Sequence, residues 1–350
     1  MKKLAIIGCG GIGTYHLGHF LQYTDIELAG FCDLIAERAE SFVKTAGSGK
    51  AFTCWREMLD SIEPDMVFIC IPPYCHGEIE FELIKRKIPF FVEKPVSIDL
   101  ELAKSVRDAV EKAGLITAVG FQCRYSNTNV AARAFTAENE VLFVECARMG
   151  GMPGVDWWRQ RPKSGGQIVE QTIHQFDIIR YVYDCDPVEV FTYGARGFMK
   201  DIPDYDTEDV SATVVKFASG ALGMLATGCY ATGGECFDSK VTFGTRNARL
   251  DLRILDSVKI YGLKKEEKKA EGGGFLIAGD GGMAKSEGGA IVYSEEGDAG
   301  VVCDRTFVDA VLSGDGSKIR SPYADAVKTL AFTLACNQSI DTGLAVKINY

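Results

Sequence analysis

The sequence predicts an α/β domain with a doubly wound parallel sheet over residues 1–122. An α+β domain built on a large, mostly antiparallel open sheet follows over residues 123–350. Three observations lead there. Over the first ~120 residues, short runs rich in Val, Ile and Phe alternate with amphipathic stretches, as in a parallel sheet covered by helices on both faces. After "GFQCRY" the pattern changes to period-two alternation joined by turn residues, which suits an antiparallel sheet that is apolar on one face. The length of 350 residues fits two domains at roughly 150 residues each.

The first domain's strands are expected at "KLAIIGCG", "IELAGFCD", "DMVFICIPP", "PFFVEKP" and "LITAVGFQ". Among the intervening helices, "DLELAKSVRDAVEKAG" has Asp99 as its N-cap and Gly114 as its C-cap. In the second domain one continuous helix is expected over "QIVEQTIHQFDIIRYVYD", then strands at "DVSATVVKF", "ALGMLATGCY" and "KVTFGT". The Gly-, Lys- and Glu-rich stretch from Lys264 to Gly300 reads as long hairpin loops. A final apolar helix, "SPYADAVKTLAFTLACNQSI", is expected to pack near the domain interface.

A net charge of −10 argues against a nucleic-acid surface, which needs a basic patch. "MKKLAIIGCGG" begins like a signal peptide but breaks into glycines after Ile7 without a cleavage site, so it reads as a buried strand. No apolar stretch approaches the ~20 residues of a membrane helix. Twelve cysteines are scattered singly with no C-x-x-C pair, so no metal cluster is expected and a reducing cytoplasm is the simplest setting.

Gly8, Gly10 and Gly13 form G-x-G-x-x-G between a strand and a helix, with Gly11 and Ile12 completing the loop. Such glycines allow a tight turn, close approach to a pyrophosphate and close helix packing, as in a Rossmann domain. Free N–H groups at the helix start then face the phosphates. Asp33, 20 residues beyond Gly13, is placed to bond the adenosine ribose hydroxyls. Its plain alternative is a helix N-cap. Leu34 and Ile35 follow, with no cation to offset a 2′-phosphate, so NAD is favoured over NADP. Pro72 and Pro73 close another strand and shape the wall of the cofactor crevice, where His76 either faces the crevice or is a solvated turn residue. Lys94, in "FVEKPVSIDL", stands at a strand's carboxyl end in the same crevice. The isomer of its bond to Pro95 is open.

Together "GCGGIG", "EKP" and "GGQIVEQTIHQFD" resemble the glucose-fructose oxidoreductase / inositol dehydrogenase (Gfo/Idh/MocA) family over essentially the whole chain. The resemblance implies that Lys94 reaches the substrate hydroxyl, that Glu93 lies near the nicotinamide ribose and that His174 is the general base. Glu170 matches a position that is more often aspartate and orients or shares a proton with that histidine; Thr172 stands where glycine is common. On one continuous helix Glu170, His174 and Asp177 would share a face, beside an apolar stripe of Val169, Ile173 and Phe176. Asp177 is open between a site role and a cap or ion pair. Trp158 and Arg159 match a pair that reaches the cofactor in some relatives. Trp157 could pack on a sugar ring, and Gln122 and Arg124 are candidate cofactor and substrate contacts. Arg161 and Lys163 either read a carboxylate or are solvated.

The expected function is NAD-dependent oxidation of a secondary hydroxyl of a sugar, glycoside or cyclitol, by a homodimer or homotetramer. The alternatives are an NAD-retaining glycosidase or epimerase of the same fold and a non-catalytic dinucleotide-binding regulator.

Overall fold

The computed structural model describes residues 1–262 and 289–350. Six strands, β1 (Lys2–Ile7), β2 (Ile26–Cys32), β3 (Lys50–Phe52), β4 (Met66–Ile69), β5 (Phe90–Val92) and β6 (Thr117–Val119), form one parallel sheet in the order β3-β2-β1-β4-β5-β6. The helices α1 (Gly11–Phe20), α2 (Ala36–Ala46), α3 (Trp55–Ile62), α4 (Glu78–Arg86) and α5 (Leu100–Ala113) alternate with them. Leu4, Ala5, Ile6 and Ile7 of β1 are all buried because helices cover both faces, so the strand reads as continuously apolar. Each Leu or Ile buried this way contributes about 1.5–3 kcal/mol relative to exposure. The Asp99 carboxylate accepts from the Glu101 and Leu102 N–H groups to open α5, and left-handed Gly114 ends it, both as the sequence suggests.

After α6 (Asn129–Glu138) come β7 (Val141–Gly151), α7 (Arg161–Ser164), α8 (Gln167–Glu170) and α9 (Ile173–Tyr183). The strands β8 (Pro187–Ala195), β9 (Val210–Phe217), β10 (Leu222–Ala231), β11 (Cys236–Thr245), β12 (Arg249–Arg253), β13 (Ser257–Tyr261) and β14 (Ile291–Ser294) follow. The chain closes with α10 (Ala299–Ser313), α11 (Tyr323–Thr342) and β15 (Val346–Lys347). The second sheet runs β14-β13-β12-β11-β7-β10-β9-β8-β15 and is antiparallel except where β7 and β10 pair in parallel. Val144 and Cys146 of β7 and Val215 and Phe217 of β9 point into its core, while Phe143 and Val214 on the opposite parity are exposed.

Three expectations need correction. The continuous helix is two helices, broken at Gln171–Thr172 where Thr172 N–H and its hydroxyl both bond to the Gln167 carbonyl. The Lys264–Gly300 stretch is not all loop: β14 lies inside it and α10 begins at its end, although residues 264–288 lie outside the described residues. Helix α10, which Asp298 caps and which Gly314 ends in a left-handed conformation, has no counterpart among the expected elements. This helix does not stay with the second sheet. Cys303, Phe307 and Val308 pack with Leu17, Phe20, Phe68 and Phe91 on the first. Helix α11 packs against α5 on one side and against α9 and β8 on the other, tying the two sheets together.

Candidate active site

The order of the first sheet reverses between β1 and β4, and ligands of such sheets bind beyond the carboxyl ends of the strands at that point. Gly8 leaves β1 with φ +98°, and a Cβ there would lie 2.1 Å from the Cys70 carbonyl oxygen. A Cβ on Gly13 would lie 2.2 Å from the Gly8 oxygen, so this glycine lets α1 sit tightly on the loop. Gly10 is different. It and Gly11 face open space: apart from adjacent backbone, no atom of the described residues lies within 4 Å of an added Cβ. That space lies over the N-terminus of α1, which has no side-chain cap and no acidic residue in its first turn. Its unpaired N–H groups and positive dipole end suit a pyrophosphate. Ile12, in that turn, is partly exposed.

The two oxygens of Asp33 accept from the N–H groups of Cys9 (2.8 Å) and Ile35 (2.9 Å), which fixes the carboxylate beside the glycine loop. It does not cap α2, whose N-cap is Ile35. Its remaining lone pairs are open to ribose hydroxyls. These residues fit a dinucleotide. Pro72 and Pro73 follow β4, Pro73 opening a short 3-10 turn. The solvated reading of His76 does not hold: it is buried, with Nδ1 2.6 Å from Glu80 Oε1 and Nε2 lacking a partner among the described residues.

Glu93 and Lys94 extend from β5, and the Lys94–Pro95 bond is cis. Lys94 Nζ donates to the backbone oxygen and to Oε1 of Glu170, both at 3.0 Å, so α8 is joined directly to the end of β5. Burial lowers the Lys94 pKa, but Glu170 and Glu93 outweigh it and hold the amine above its ordinary value, as a cation. Burial, followed by the positive charges of Lys94 and Arg148, holds His174 well below the ordinary histidine value, as a neutral imidazole. Its ring edge meets Phe121, and Nδ1 lies 4.0 Å from the Cys123 sulfur. Cation and neutral base, both partly buried, therefore lie within electrostatic reach of one another. Glu170 is turned to the lysine rather than the histidine, because the break at Gln171–Thr172 ends the shared helical face. Its Oε2 is buried with no protein partner among the described residues, a free acceptor beside the amine.

The other candidates divide. Arg124 is not free to read a substrate: it binds Asp177 through Nε (2.7 Å) and Nη2 (2.5 Å), Asp325 (2.5 Å) and the Arg320 carbonyl (2.7 Å). Asp177 also accepts from Thr329, so the pair fastens α9 to α11, as a buried guanidinium needs counter-charge. Trp158 is fully buried near Tyr205 rather than open to a cofactor, and its indole N–H lacks a partner among the described residues. Arg159 is half-buried, 3.3 Å from Asp156, with an unpartnered Nε. Gln122 starts the 3-10 turn after β6 and is half-buried. Trp157 and Tyr74 approach edge to face at 6.5 Å, bringing aromatic surface from both halves together. Arg161 is held by Asp341 and Glu208 rather than solvated, and Lys163 lies over the Tyr74 ring.

Two residues escaped the sequence reading. Tyr74 follows the Pro-Pro pair and is an aromatic at a strand's carboxyl end. Arg148 sits at an inward-facing position of β7, bonds to the carbonyls of Gly151 and Gly228 and acts electrostatically on His174. A charged residue on the buried parity of an alternating strand was the available signal.

Residues 2–121 match the oxidoreductase family with an NAD-binding Rossmann fold designated GFO_IDH_MocA, and residues 139–253 match the GFO/IDH/MocA C-terminal domain. Myo-inositol 2-dehydrogenase of Thermotoga maritima is 29% identical over 258 residues, covering 71% of this chain and 76% of that protein. The structure of myo-inositol 2-dehydrogenase from Lactobacillus plantarum matches with TM-score 0.79 at 20% identity, covering 99% of both chains. The WlbA dehydrogenase from Chromobacterium violaceum, solved with NADH and UDP-GlcNAcA, matches with TM-score 0.78 at 18% identity, over 99% of this chain and 96% of that one. The two solved structures share the fold.

Proposed function

The chain belongs to the GFO/IDH/MocA oxidoreductase family and is an NAD-dependent dehydrogenase; from that premise we propose that it oxidises a secondary hydroxyl of a cyclitol or sugar, or reduces the matching ketone. The observation that carries the proposal is the Lys94 ammonium, held by Glu170 from the opposite half of the molecule beside a neutral His174.

When bound, NAD supplies the hydride acceptor. Backbone N–H groups at Gly11, Ile12 and Gly13 would hold its pyrophosphate, Asp33 its adenosine ribose and Glu93 its nicotinamide ribose. His174, neutral at physiological pH, takes the hydroxyl proton as general base. Lys94, kept cationic by Glu170, stabilises the negative charge that develops on the oxygen. The free Glu170 Oε2 is an acceptor for a neighbouring substrate hydroxyl, and Trp157 with Tyr74 offers an apolar face for the C–H bonds of a ring. The relatives named for inositol oxidation support a polyol of this size. The test is a panel of inositols, aldoses, glycosides and uronates assayed for NADH formation. Turnover-dependent NADH release with at least one of them is expected. Cleavage or epimerisation without NADH release would instead favour the cofactor-retaining reading.

The exposed apolar face of the second sheet supports a further part of the proposal, that two copies of the chain pair through it. Val214 and Met224 are cross-strand neighbours, with Phe143 and Leu222 paired next to them, all about half exposed. Contiguous apolar surface of this kind marks an association site.

A further inference from the structure

Behind the Lys94 end of the crevice lies a buried polar chain that the proposed chemistry does not use directly. We infer that His16 and Asp304 are positioning residues for the cofactor site, forming an Asp304–His16–Glu93 chain that holds the Glu93 carboxylate in place at the end of β5. The inference rests on the reading of Glu93 as the carboxylate beside the nicotinamide ribose.

His16 Nδ1 lies 2.8 Å from Asp304 Oδ2, and its Nε2 lies 3.0 Å from Glu93 Oε1. His19 Nδ1 reaches the same Asp304 oxygen at 2.6 Å. All four residues are buried. The His16 ring packs against Phe20, Phe68 and Phe91, an apolar cage in which no other polar contact to it is made among the described residues. A ring nitrogen facing a carboxylate at each end is satisfied on both sides only if both nitrogens carry protons. Burial lowers the His16 pKa, but Asp304 and Glu93 outweigh it and raise it to about 10. An imidazolium between two carboxylates thus links α10, α1 and the end of β5.

The Glu93 end is equally confined. Its Oε2 accepts from the Lys94 N–H at 3.2 Å, and a Cβ on Gly120 would lie 2.2 Å from Oε1. The absence of a side chain at Gly120 is what leaves room for the carboxylate. Other groups around the chain are Tyr15, beside both histidines, and the thiols of Cys70 and Cys303, which burial and these carboxylates hold protonated. His16, His19 and Asp304 together have the composition of a metal site, but their spacing is that of hydrogen bonds. Nitrogen ligands ~2.0–2.1 Å from a tetrahedral zinc hold donor atoms about 3.3 Å apart, well beyond 2.6 and 2.8 Å.

The test is the NAD dissociation constant, measured by titration calorimetry without substrate, for His16→Leu, Glu93→Gln and the double variant, with thermal unfolding to verify folding. His16→Leu is expected to weaken NAD binding about tenfold, the scale of a lost hydrogen bond to a charged group. His16→Gln, which can still donate to Glu93, should recover most of that loss. In the double variant the His16 change should add nothing to Glu93→Gln, since residues acting through one contact are non-additive. Should His16→Leu not fold, Asp304→Asn is compared in the same two backgrounds, with the same loss expected only where Glu93 is present. Wild-type NAD affinity in His16→Leu beside an impaired Glu93→Gln, or fully additive losses, overturns the inference alone. Wild-type affinity in Glu93→Gln overturns the ribose reading and the inference with it.

Discussion

The two groups proposed to do the chemistry are tuned in opposite directions by different neighbours. His174 is partly buried and feels the positive charges of Lys94 and Arg148, so its pKa falls and the imidazole stays neutral. Lys94 is partly buried beside Glu170 and Glu93, so its amine stays charged. The base form of His174 thus persists as pH falls through about 6.5, where an exposed histidine would protonate. The rate of alcohol oxidation should stay flat across that point and decline only below it; an acid limb at or above 6.5 contradicts the assignment. His16 has the opposite sign. Its folded pKa is raised to about 10, so its stabilising contribution is fully present below about 6.5 and is lost as pH rises through about 10. His16→Gln should therefore lower the melting temperature at neutral pH, with the gap to wild type narrowing above pH 10. At this scale the sequence exposed Lys94 and His174 through their motifs. It could not expose the Glu170–Lys94 pair, which depends on a helix break, or Arg148, whose neighbours are distant in the chain.

Local rules carried most of the elements. The glycine loop, the Asp99 and Gly114 caps and α11 follow from hydrophobic period and cap chemistry acting within a few residues. The break between α8 and α9 does not. Gly165 and Gly166 both have positive φ, Asn337 of α11 donates to the Gly165 carbonyl, and Thr172 folds back on Gln167, so tertiary contacts set this segment. Val169 and Ile173 then pack into the core beneath the first sheet while Phe176 packs into that of the second, splitting what read as one apolar stripe. The glycine loop gives a test that separates folding from binding. Gly13→Ala forces a Cβ against the Gly8 carbonyl and should cost on the order of 1–3 kcal/mol of stability, read by thermal or urea unfolding. Gly10→Ala meets no atom of the described residues beyond its chain neighbours, so stability should hold while NAD binding weakens by about tenfold or more, roughly 1.4 kcal/mol. Equal losses of stability in the two variants would contradict the loop's assignment.

On the scale of the whole molecule, α11 binds the two sheets into one body and α10 returns the chain to the first sheet. Helix α10 brings Asp304 to the first sheet from far along the chain, while Asp325 of α11 sits between Arg124 and Arg180, which hold its carboxyl down at about 2. Such long-range returns leave little mark on local sequence pattern, which is why the division into residues 1–122 and 123–350 does not describe the packing of α10. The apolar sheet face is the other whole-molecule feature. Met224→Asp places a charge at its centre and should shift sedimentation toward the monomer; an unchanged oligomer would place the contact elsewhere. Joint oxidation of a polyol hydroxyl by Lys94 and His174 with NAD is tested most directly by NADH formation on the best substrate of the panel. Wild type is compared with Lys94→Met and His174→Asn at saturating NAD. Each variant is expected to lose about 10²–10⁴-fold in rate, the scale of a positioned acid–base group, while still binding NAD. Oxidation at near wild-type rate by either variant would contradict the joint role of Lys94 and His174.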